Sequence, residues 1–591
     1  MSPARKTRTS TPGTEKATGS GFGQKLLSAE QRARIEARAA AGNPAARFRL
    51  LVDDKRRLAA SVRAGEANGA SRPTVRITRT GVVGLGGGRS RSVVAPAEFR
   101  GTTAQVAGLW PWCVGAGAPL IGTPLGRHLD TGEPVCFDPT NWFTSGFLTA
   151  PSLFVLGLNG FGKSSLVRRL VLGGIAQGIK PLILADVKPD YREAVEQCGG
   201  QIIDLGYGHG KINPLDAGVM GQALQRLIDA TAAARAAGDM ERVGTLGSEI
   251  ESLRTELRAR QTNLIAGLIE LVRGQRIADF EDTIISTAQR ILFRSASEGG
   301  RGFTVTNPPI LDDLADVIAA GGPELQLDAA AKDAEQYEAA IIPLRRTLRA
   351  LTQGNFGNVF NGPTTTPLDI NAVGVCVDVS HIPKNDKKLK AAVMLASWSS
   401  GFGAIEALNL LAAVGLEKQR YFQVVMDELW QVLGLGEFMI ERVDELTRLQ
   451  RSIATALIMI SHTIKDLQGL GTDAAGKALG FLERARAKIF GALPPEELAR
   501  LDPIVPCTRT EVAMVTGWSS PQALTGEPIK RGVDRPLPPG VGKFLLKIGE
   551  DRAPGIPFSL ELTGVELTAK IHETSRLYDT FGEHDDERYA S

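Results

Sequence analysis

The sequence has few of the residues that build metal ribbons, disulfide frameworks or membrane spans. Its 591 residues include 5 cysteines and 6 histidines, with neither a CxxC pair nor an HExxH motif, which argues against a zinc ribbon and a zinc-protease helix. The wide spacing of the cysteines argues against a disulfide scaffold. No run of 18 apolar residues predicts a membrane helix, and the basic N-terminus lacks the apolar segment of a signal peptide. We therefore expect a soluble cytoplasmic protein.

Charge is distributed unevenly along the chain. Residues 1–100 carry 20 Lys and Arg against 7 Asp and Glu, a net charge of +13, so the remainder carries −10 to give the chain's +3. Residues 1–24 have the composition of a disordered segment, whereas Lys25–Ala41 and Arg47–Ala64 are rich in helix-forming residues. Two interpretations of this basic arm remain open, a solvated tail and a contact with an anionic surface.

Five short apolar runs predict the strands of a sheet that is buried on both faces, as in mainly parallel α/β folds. They are Leu153–Leu156, Pro181–Ala185, Val373–Val377, Tyr421–Met426 and Ala454–Ile460. Each run ends in a polar residue or a glycine loop, and such folds bind ligands at the carboxyl ends of their strands. The stretch 122–139 has the turn signals of an antiparallel lead-in.

The length of the chain allows about four structural units, at roughly 150 residues per domain. We predict a basic, partly helical N-terminal arm, the start of an ATPase core, an all-helical insertion, the remainder of the core and a charged tail. Their bounds are 1–108, 109–216, 217–354, 355–566 and 567–591.

The segment GLNGFGKS, from Gly157 to Ser164, fits the phosphate-binding pattern GxxxxGK[ST] without a mismatch. Glycines let consecutive backbone N–H groups point at phosphate oxygens, while Lys163 reaches the phosphates and the Ser164 hydroxyl ligates Mg²⁺. A fortuitous glycine turn would lack the apolar run before it and the helix-forming run after it. The predicted nucleotide-binding residues are Gly157, Asn159, Gly160, Phe161, Gly162, Lys163, Ser164, Ser165 and, at the end of a later strand, His462.

Asp427 and Glu428 follow the apolar run Tyr421–Met426. A carboxylate there is suited to hold Mg²⁺ together with Ser164, and the adjacent glutamate is suited to polarise an attacking water. The alternative, an acidic helix cap after an ordinary strand, is less favoured because the phosphate loop lies upstream. The sequence therefore predicts Asp427 as a metal ligand and Glu428 as a general base.

Polar residues end two further predicted strands. His462 follows Ala454–Ile460 and lies where a side chain could sense the γ-phosphate; the alternative is a satisfied histidine near the sheet edge. Asp186 and Lys188 end the second strand, and for them a helix cap with a solvated lysine is as good an interpretation as a functional one.

The ordered series GLNGFGKSS, ADVKPDY, GGQIIDLGYGHGKINPLD, QGNFGNVFNG with VCVDVS, VVMDELW and RSIATALIMISHTIKDL resembles the conjugative-transfer ATPases of type IV secretion systems. These form the TraC-like, or fourth VirB component, family of the FtsK/HerA superfamily of RecA-fold P-loop motors. The lead-in GTPLGRHLDTGEPVCFDP resembles their actinobacterial branch. The resemblance covers about Leu109–Glu566. In the family the second motif is usually Asp-x-Lys-Gly-Glu-Tyr, and the residue at His462 is usually Gln.

The resemblance implies a homo-hexameric ring that uses ATP and Mg²⁺, peripheral to the inner face of the cell membrane and docked on components of a membrane-embedded secretion channel. Ring motors place an arginine from a neighbouring subunit on the γ-phosphate, for which Arg451 and Arg448 are candidates; a surface helix position is an equal alternative for each. The cluster Arg345, Arg346 and Arg349 is interpreted as a solvated helix face.

We therefore predict an ATPase that energises conjugative DNA transfer or type IV secretion. One alternative is a HerA-like or FtsK-like motor that pumps double-stranded DNA directly. An alternative of another class is an assembly scaffold that nucleotide stabilises without turnover, against which the adjacent Asp427 and Glu428 argue. The basic arm suits DNA, an acidic membrane surface or a partner protein, and it has no interleaved aromatic residues for base stacking.

Overall fold

The computed structural model describes residues 26–68, 76–78, 81–83, 118–383, 385–429, 431, 455–462, 479–520, 538–549, 552–569 and 571–572. These residues belong to two units, Met1–Cys113 and Val114–Ser591. The first unit contains two helices and a two-stranded antiparallel sheet: α1 (Ala29–Ala40), α2 (Pro44–Asn68), β1 (Arg76–Thr78) and β2 (Gly81–Val83).

The two helices of the first unit are held together by one buried carboxylate. Asp53 on α2 accepts hydrogen bonds from the backbone N–H of Leu27 at 3.0 Å, from Arg32 at 3.1 Å and from Arg57 at 2.8 Å. Ser28 begins α1 with a capping box, which satisfies N–H groups that the first helical turn leaves free. The two predicted helices of the arm are therefore present, with shifted ends.

The second unit is built on one sheet of eleven strands. The strands are β3 (Pro124–His128), β4 (Pro134–Cys136), β5 (Ser152–Leu156), β6 (Lys180–Asp186), β7 (Gln201–Asp204), β8 (Val375–Asp378), β9 (Phe422–Met426), β10 (Thr455–Ser461), β11 (Ala487–Phe490), β12 (Lys543–Ile548) and β13 (Ile556–Leu560). Their order is β4-β3-β13-β12-β11-β5-β10-β9-β6-β8-β7.

Seven neighbouring strands of this sheet, from β11 to β7, run parallel, and the four strands beyond β11 are antiparallel. The prediction of a mainly parallel sheet is thus confirmed, and the architecture matches a RecA-like P-loop fold. All five predicted strands are present, as β5, β6, β8, β9 and β10. β7, β11 and β13 were not predicted: the first two have only four residues each, and β13 contains a proline.

Fourteen α-helices are described in the second unit. They are α3 (Pro139–Thr144), α4 (Lys163–Ala176), α5 (Arg192–Gln197), α6 (Gly218–Ala236), α7 (Met240–Arg273), α8 (Asp279–Phe293), α9 (Leu311–Ala320), α10 (Pro323–Asp328), α11 (Ala334–Thr352), α12 (Gly354–Phe360), α13 (Lys387–Ala413), α14 (Pro495–Leu501), α15 (Arg509–Trp518) and α16 (Gly564–Thr568). Helices α6 to α12 follow one another between β7 and β8, where the sequence predicts the insertion; its independence as a subdomain stays a prediction.

Helix α13 forms the centre of the core. It packs on β6 and on the helices α6 and α7, and its Trp398 and Phe402 are buried. Among the described residues it is the one helix long and apolar enough to cross a membrane by length and composition, but 89% of its most apolar stretch is buried inside the protein. That degree of burial is typical of a core helix.

The approach of α13 to the sheet depends on Gly401. A Cβ at this position would lie 2.5 Å from both terminal methyl carbons of Leu184 on β6, and Leu184 is fully buried. Gly517 on α15 is a matched control, because a Cβ there would meet nothing within 4 Å.

We expect Gly401→Ala to be less stable than Gly517→Ala by about 2 kcal/mol. Both substitutions gain roughly 1 kcal/mol of helix propensity, so the difference isolates the overpacking, which typically costs about 1–3 kcal/mol. Chemical denaturation of the two variants measures the difference in unfolding free energy. Equal stability would show that the core around Leu184 can rearrange to accommodate the added methyl group.

Candidate functional site

Four adjacent parallel strands bring the predicted site residues to one edge of the sheet. The last residue of β5, Leu156, lies beside Ser461 of β10, so the glycine loop and His462 begin at the same level. Met459 of β10 lies beside Met426 of β9, directly before Asp427. β6 pairs with the other side of β9 and ends at Asp186. The carboxyl edge of the sheet therefore collects all four polar segments.

The glycine loop takes a curled conformation that side chains would hinder. Gly160 and Gly162 have φ angles of 83° and 96°, a left-handed region that favours glycine. A Cβ on Gly157 would lie 3.2 Å from the Cα of Gly491, after β11. The Leu158 N–H donates to the Ala492 carbonyl at 2.9 Å. The neighbouring strand thus supports the loop from behind, as a phosphate cradle requires.

Lys163, the first residue of α4, is directed back into the loop. Its side chain is buried, and its ammonium donates to the carbonyls of Gly157 and Leu158, the latter at 3.0 Å, and to Asn159 Oδ1 at 3.5 Å. Burial lowers the pKa of Lys163 to about 8, although the charges of Asp427 and Glu428 oppose the shift. A phosphate anion in the loop would favour the charged ammonium. Ser165, the third residue of α4, is half-buried.

Asp427 is a half-buried carboxylate directly after β9. It accepts the Tyr191 hydroxyl at 2.9 Å and the Glu428 backbone N–H at 2.8 Å. Burial, followed by the negative charges of Glu428 and Asp190, raises the pKa of Asp427 to about 6. Several carboxylates therefore crowd one small volume, which a cation would stabilise.

Glu428 adopts an unusual backbone conformation and has strong partners. Its φ angle of 53° is a left-handed conformation that costs a residue with a side chain about 1–2 kcal/mol. Its Oε1 atom lies 2.6 Å from Lys188 Nζ and 3.2 Å from His462 Nε2. Burial acts to raise the pKa of Glu428, but the hydrogen bonds from His462 and Lys188 more than offset this effect and hold it well below its usual range.

His462 and Lys188 thus lie in the site, but beside the predicted base. The sequence predicts His462 as a γ-phosphate sensor, and in the structure its described contact is with Glu428. Lys188, for which a solvated position was an equal alternative, forms an ion pair with Glu428 while 59% of its side chain remains exposed. Burial opposes the charged form of Lys188, but Glu428 raises its pKa.

The loop after β6 contributes contacts that the sequence analysis did not predict. Asp186 is buried, and its carboxylate accepts the backbone N–H groups of Asp190 at 3.1 Å, Tyr191 at 2.7 Å and Arg192 at 3.2 Å. This folds the loop so that Asp190 Oδ2 accepts the Ser164 hydroxyl at 3.0 Å. The signals in the sequence were the position of ADVKPDY at the end of a strand and its resemblance to the family motif Asp-x-Lys-Gly-Glu-Tyr, which has an acidic residue at the position of Asp190.

Arg192 attaches the same loop to the next two strands. It donates to Asp204 at the end of β7 and, at 2.8 Å, to Asp378 at the end of β8. Hydrogen bonds to these two carboxylates raise the pKa of Arg192 above its usual range, so the guanidinium stays charged. Arg192 therefore anchors the loop to β8 and β7, the two strands on the side of β6 away from β9.

The predicted arginines have different outcomes. Arg451 and Arg448 lie outside the described residues, so their role in trans stays a prediction. Arg345, Arg346 and Arg349 on α11 are exposed, as predicted for a solvated helix face.

The residues of the site fit a nucleotide and Mg²⁺. The glycine loop offers backbone N–H groups at the N-terminus of α4, where the helix dipole favours anions. Ser164 and Asp427 offer hard oxygen atoms, which Mg²⁺ prefers. The suitable groups are therefore present on the same edge of the sheet.

Comparisons with known proteins place the fold. No protein-family model matches the chain. It is 25% identical over 391 residues to an uncharacterized protein of Bacillus anthracis, pXO2-09, a match that covers 60% of this chain and 54% of that protein. The chain thus spans about half the length of this curated relative.

A search of solved structures found two proteins of conjugation or secretion systems with different degrees of similarity to the chain. VirB4 of Thermoanaerobacter pseudethanolicus superimposes with a TM-score of 0.54 at 18% identity, over 76% of this chain and 100% of that one. The plasmid coupling protein TrwB in complex with ADP and Mg²⁺ gives a TM-score of 0.39 at 12% identity, over 76% and 96% of the two chains. The likeness to VirB4 shows that the two proteins share a fold.

The pKa of Asp427 predicts a pH-dependent effect of Asp427→Asn. Because the pKa of Asp427 in the folded protein is about 6, above its ordinary value of 3.8, ionisation of Asp427 destabilises the native protein as pH rises. Between pH 5 and 7.5 without divalent cations, the wild type should lose about 1 kcal/mol of unfolding free energy relative to Asp427→Asn. Denaturation at the two pH values measures this change. Asp130→Asn, at an exposed turn, is the control. If Asp427→Asn alters the pH dependence of the unfolding free energy no more than Asp130→Asn does, the raised pKa of Asp427 is contradicted.

Proposed function

We propose that the protein is an ATP-hydrolysing motor that energises conjugative DNA transfer or type IV secretion. The observation that carries this proposal is the meeting of a phosphate loop, the half-buried Asp427 and an ionised Glu428 at one edge of a RecA-like sheet. ATP and Mg²⁺ are the cofactors that this arrangement suits. The ordered motif series and the shared fold with VirB4 support the choice of this class of ATPase.

Binding begins with the P-loop. The backbone N–H groups between Gly157 and Ser164 would donate to the phosphates. Lys163 would exchange the loop carbonyls for phosphate oxygens, which are stronger partners for a charged ammonium. Ser164 and Asp427 would hold the metal ion. When bound, Mg²⁺ neutralises charge on the β- and γ-phosphates.

Glu428 prepares the water that attacks. A carboxylate with a pKa well below its usual range is ionised at neutral pH, so it accepts a hydrogen bond from water and fixes its direction. Lys188 and His462 hold the Glu428 carboxylate, and Lys188 is exposed enough to exchange partners during the cycle.

The motif series leads us to propose the wider setting as well. A homo-hexameric ring would complete each site with an arginine from the neighbouring subunit, for which Arg451 is the candidate. The protein would lie in the cytoplasm at the inner face of the membrane, on components of a secretion channel. The basic arm, residues 1–108, suits DNA, an acidic membrane surface or a partner protein.

Two variants test the assigned roles. Glu428→Gln should bind ATP with wild-type affinity but lower turnover by at least about a hundredfold, because an amide is a poor base for water. Lys163→Ala should instead weaken ATP binding, because the main phosphate cation is lost. Fluorescent-nucleotide titration and steady-state phosphate release measure the two effects. Glu338→Gln, at an exposed position of α11, is the control. Normal turnover by Glu428→Gln would contradict the base assignment.

Turnover by size-fractionated wild type, with and without DNA, separates the alternatives. A secretion energiser should hydrolyse ATP without DNA and bind membrane fractions. Strong stimulation by double-stranded DNA with a steep salt dependence would favour a DNA pump. Ring assembly on ATP without phosphate release would favour the scaffold.

A further inference from the structure

Asp190 links the metal-binding serine to the interior of the protein. Its Oδ2 atom accepts the Ser164 hydroxyl at 3.0 Å, and its Oδ1 atom accepts Arg168 at 3.1 Å. Arg168 lies one helical turn after Ser164 on α4, and only 1% of its side chain is exposed. The two oxygens of one carboxylate thus have different partners, a neutral hydroxyl and a buried cation.

Asp190 is held from several directions. Its backbone N–H donates to Asp186 Oδ1 at 3.1 Å, and its side chain is 9% exposed. Arg168 is itself fixed by a second hydrogen bond, at 2.8 Å, to the carbonyl of Ile571. The carboxylate is therefore placed before any ligand binds, and its Oδ2 atom has a fixed direction toward Ser164.

The hydrogen bond from Ser164 to Asp190 suits a hydroxyl that binds a metal ion. A serine ligates a cation through an oxygen lone pair, so its proton must point away from the metal and toward an acceptor. Within the described part of the chain Ser164 has no hydrogen bond to Asp427, whose two oxygens receive the Tyr191 hydroxyl and the Glu428 N–H. Asp190 Oδ2 is the acceptor in the right place.

We propose that Asp190 is a positioning residue of the magnesium site. By accepting a hydrogen bond from the Ser164 hydroxyl, Asp190 turns a lone pair of the serine oxygen toward the cation and increases the negative charge on that oxygen. Such outer-sphere partners typically contribute 10- to 100-fold to metal affinity. The proposal rests on the proposed nucleotide site and assigns a function to the loop after β6.

The test compares ADP affinity by calorimetry in Mg²⁺ and in EDTA. In Asp190→Asn, Arg168 attracts the amide oxygen, so the NH₂ group faces Ser164 and can no longer accept its proton. We expect about tenfold weaker ADP binding in Mg²⁺ and an unchanged affinity in EDTA. Asp190→Glu, which keeps the carboxylate, should recover most of the difference.

A double-mutant cycle tests whether Asp190 acts through Ser164. If it does, Asp190→Asn should have no further effect in Mg²⁺ once Ser164→Ala has removed the hydroxyl. An equal loss in Mg²⁺ and EDTA, or the same tenfold loss in the Ser164→Ala background, would show a merely structural role and overturn the proposal. So would unchanged affinity of Asp190→Asn in Mg²⁺.

The experiment also separates this inference from the proposed function. A wild-type protein that binds no ADP in Mg²⁺ would contradict the nucleotide site itself. Mg²⁺-dependent binding that Asp190→Asn leaves intact would contradict only the role of Asp190. Thermal unfolding of each variant verifies that it is folded, and Asp190→Glu provides a second reading if Asp190→Asn is destabilised.

Discussion

The candidate site depends on the hydrogen bonds that one buried carboxylate makes with the chain after it. Asp186 accepts three backbone N–H groups, those of Asp190, Tyr191 and Arg192, and each would be costly to leave unpaired in the interior. These bonds turn the loop back over the edge of the sheet. Tyr191 then reaches Asp427, and the neighbouring residues reach Glu428 and Ser164. Without this turn, the hydrogen bonds that connect the loop to Asp427, Glu428 and Ser164 would be lost.

Two residues of the candidate site, Asp427 and Glu428, lower the stability of the folded protein. Desolvation of Asp427, together with the nearby charges of Glu428 and Asp190, raises its pKa, and Glu428 has a left-handed backbone conformation. Both features destabilise the folded protein, as is common where a site must act on a charged ligand. Two cationic side chains, Lys163 and Lys188, offset part of the negative charge. A bound metal ion would offset the remaining negative charge of the carboxylates. Binding of a nucleotide with its metal ion should therefore stabilise the loop after β6.

The sequence predicted what local patterns encode. The phosphate loop, the five buried strands and the Asp427–Glu428 pair could be predicted because each lies within about ten consecutive residues. The contacts of Asp190 with Ser164 and of Tyr191 with Asp427 span 26 and 236 residues, and no local pattern specifies such pairs. Short strands such as β11 have too few residues for a clear periodicity. The role of Arg451 stays a prediction, since its position lies outside the described residues.

A high-resolution structure of the Glu428→Gln protein with Mg²⁺ and ATP tests the account most directly. The account predicts Mg²⁺ coordinated by Ser164, with Asp190 still within hydrogen-bond distance of the Ser164 oxygen and Tyr191 still on Asp427. A site in which the Ser164 proton is accepted by Asp427, with the loop after β6 turned away from the metal, would contradict it.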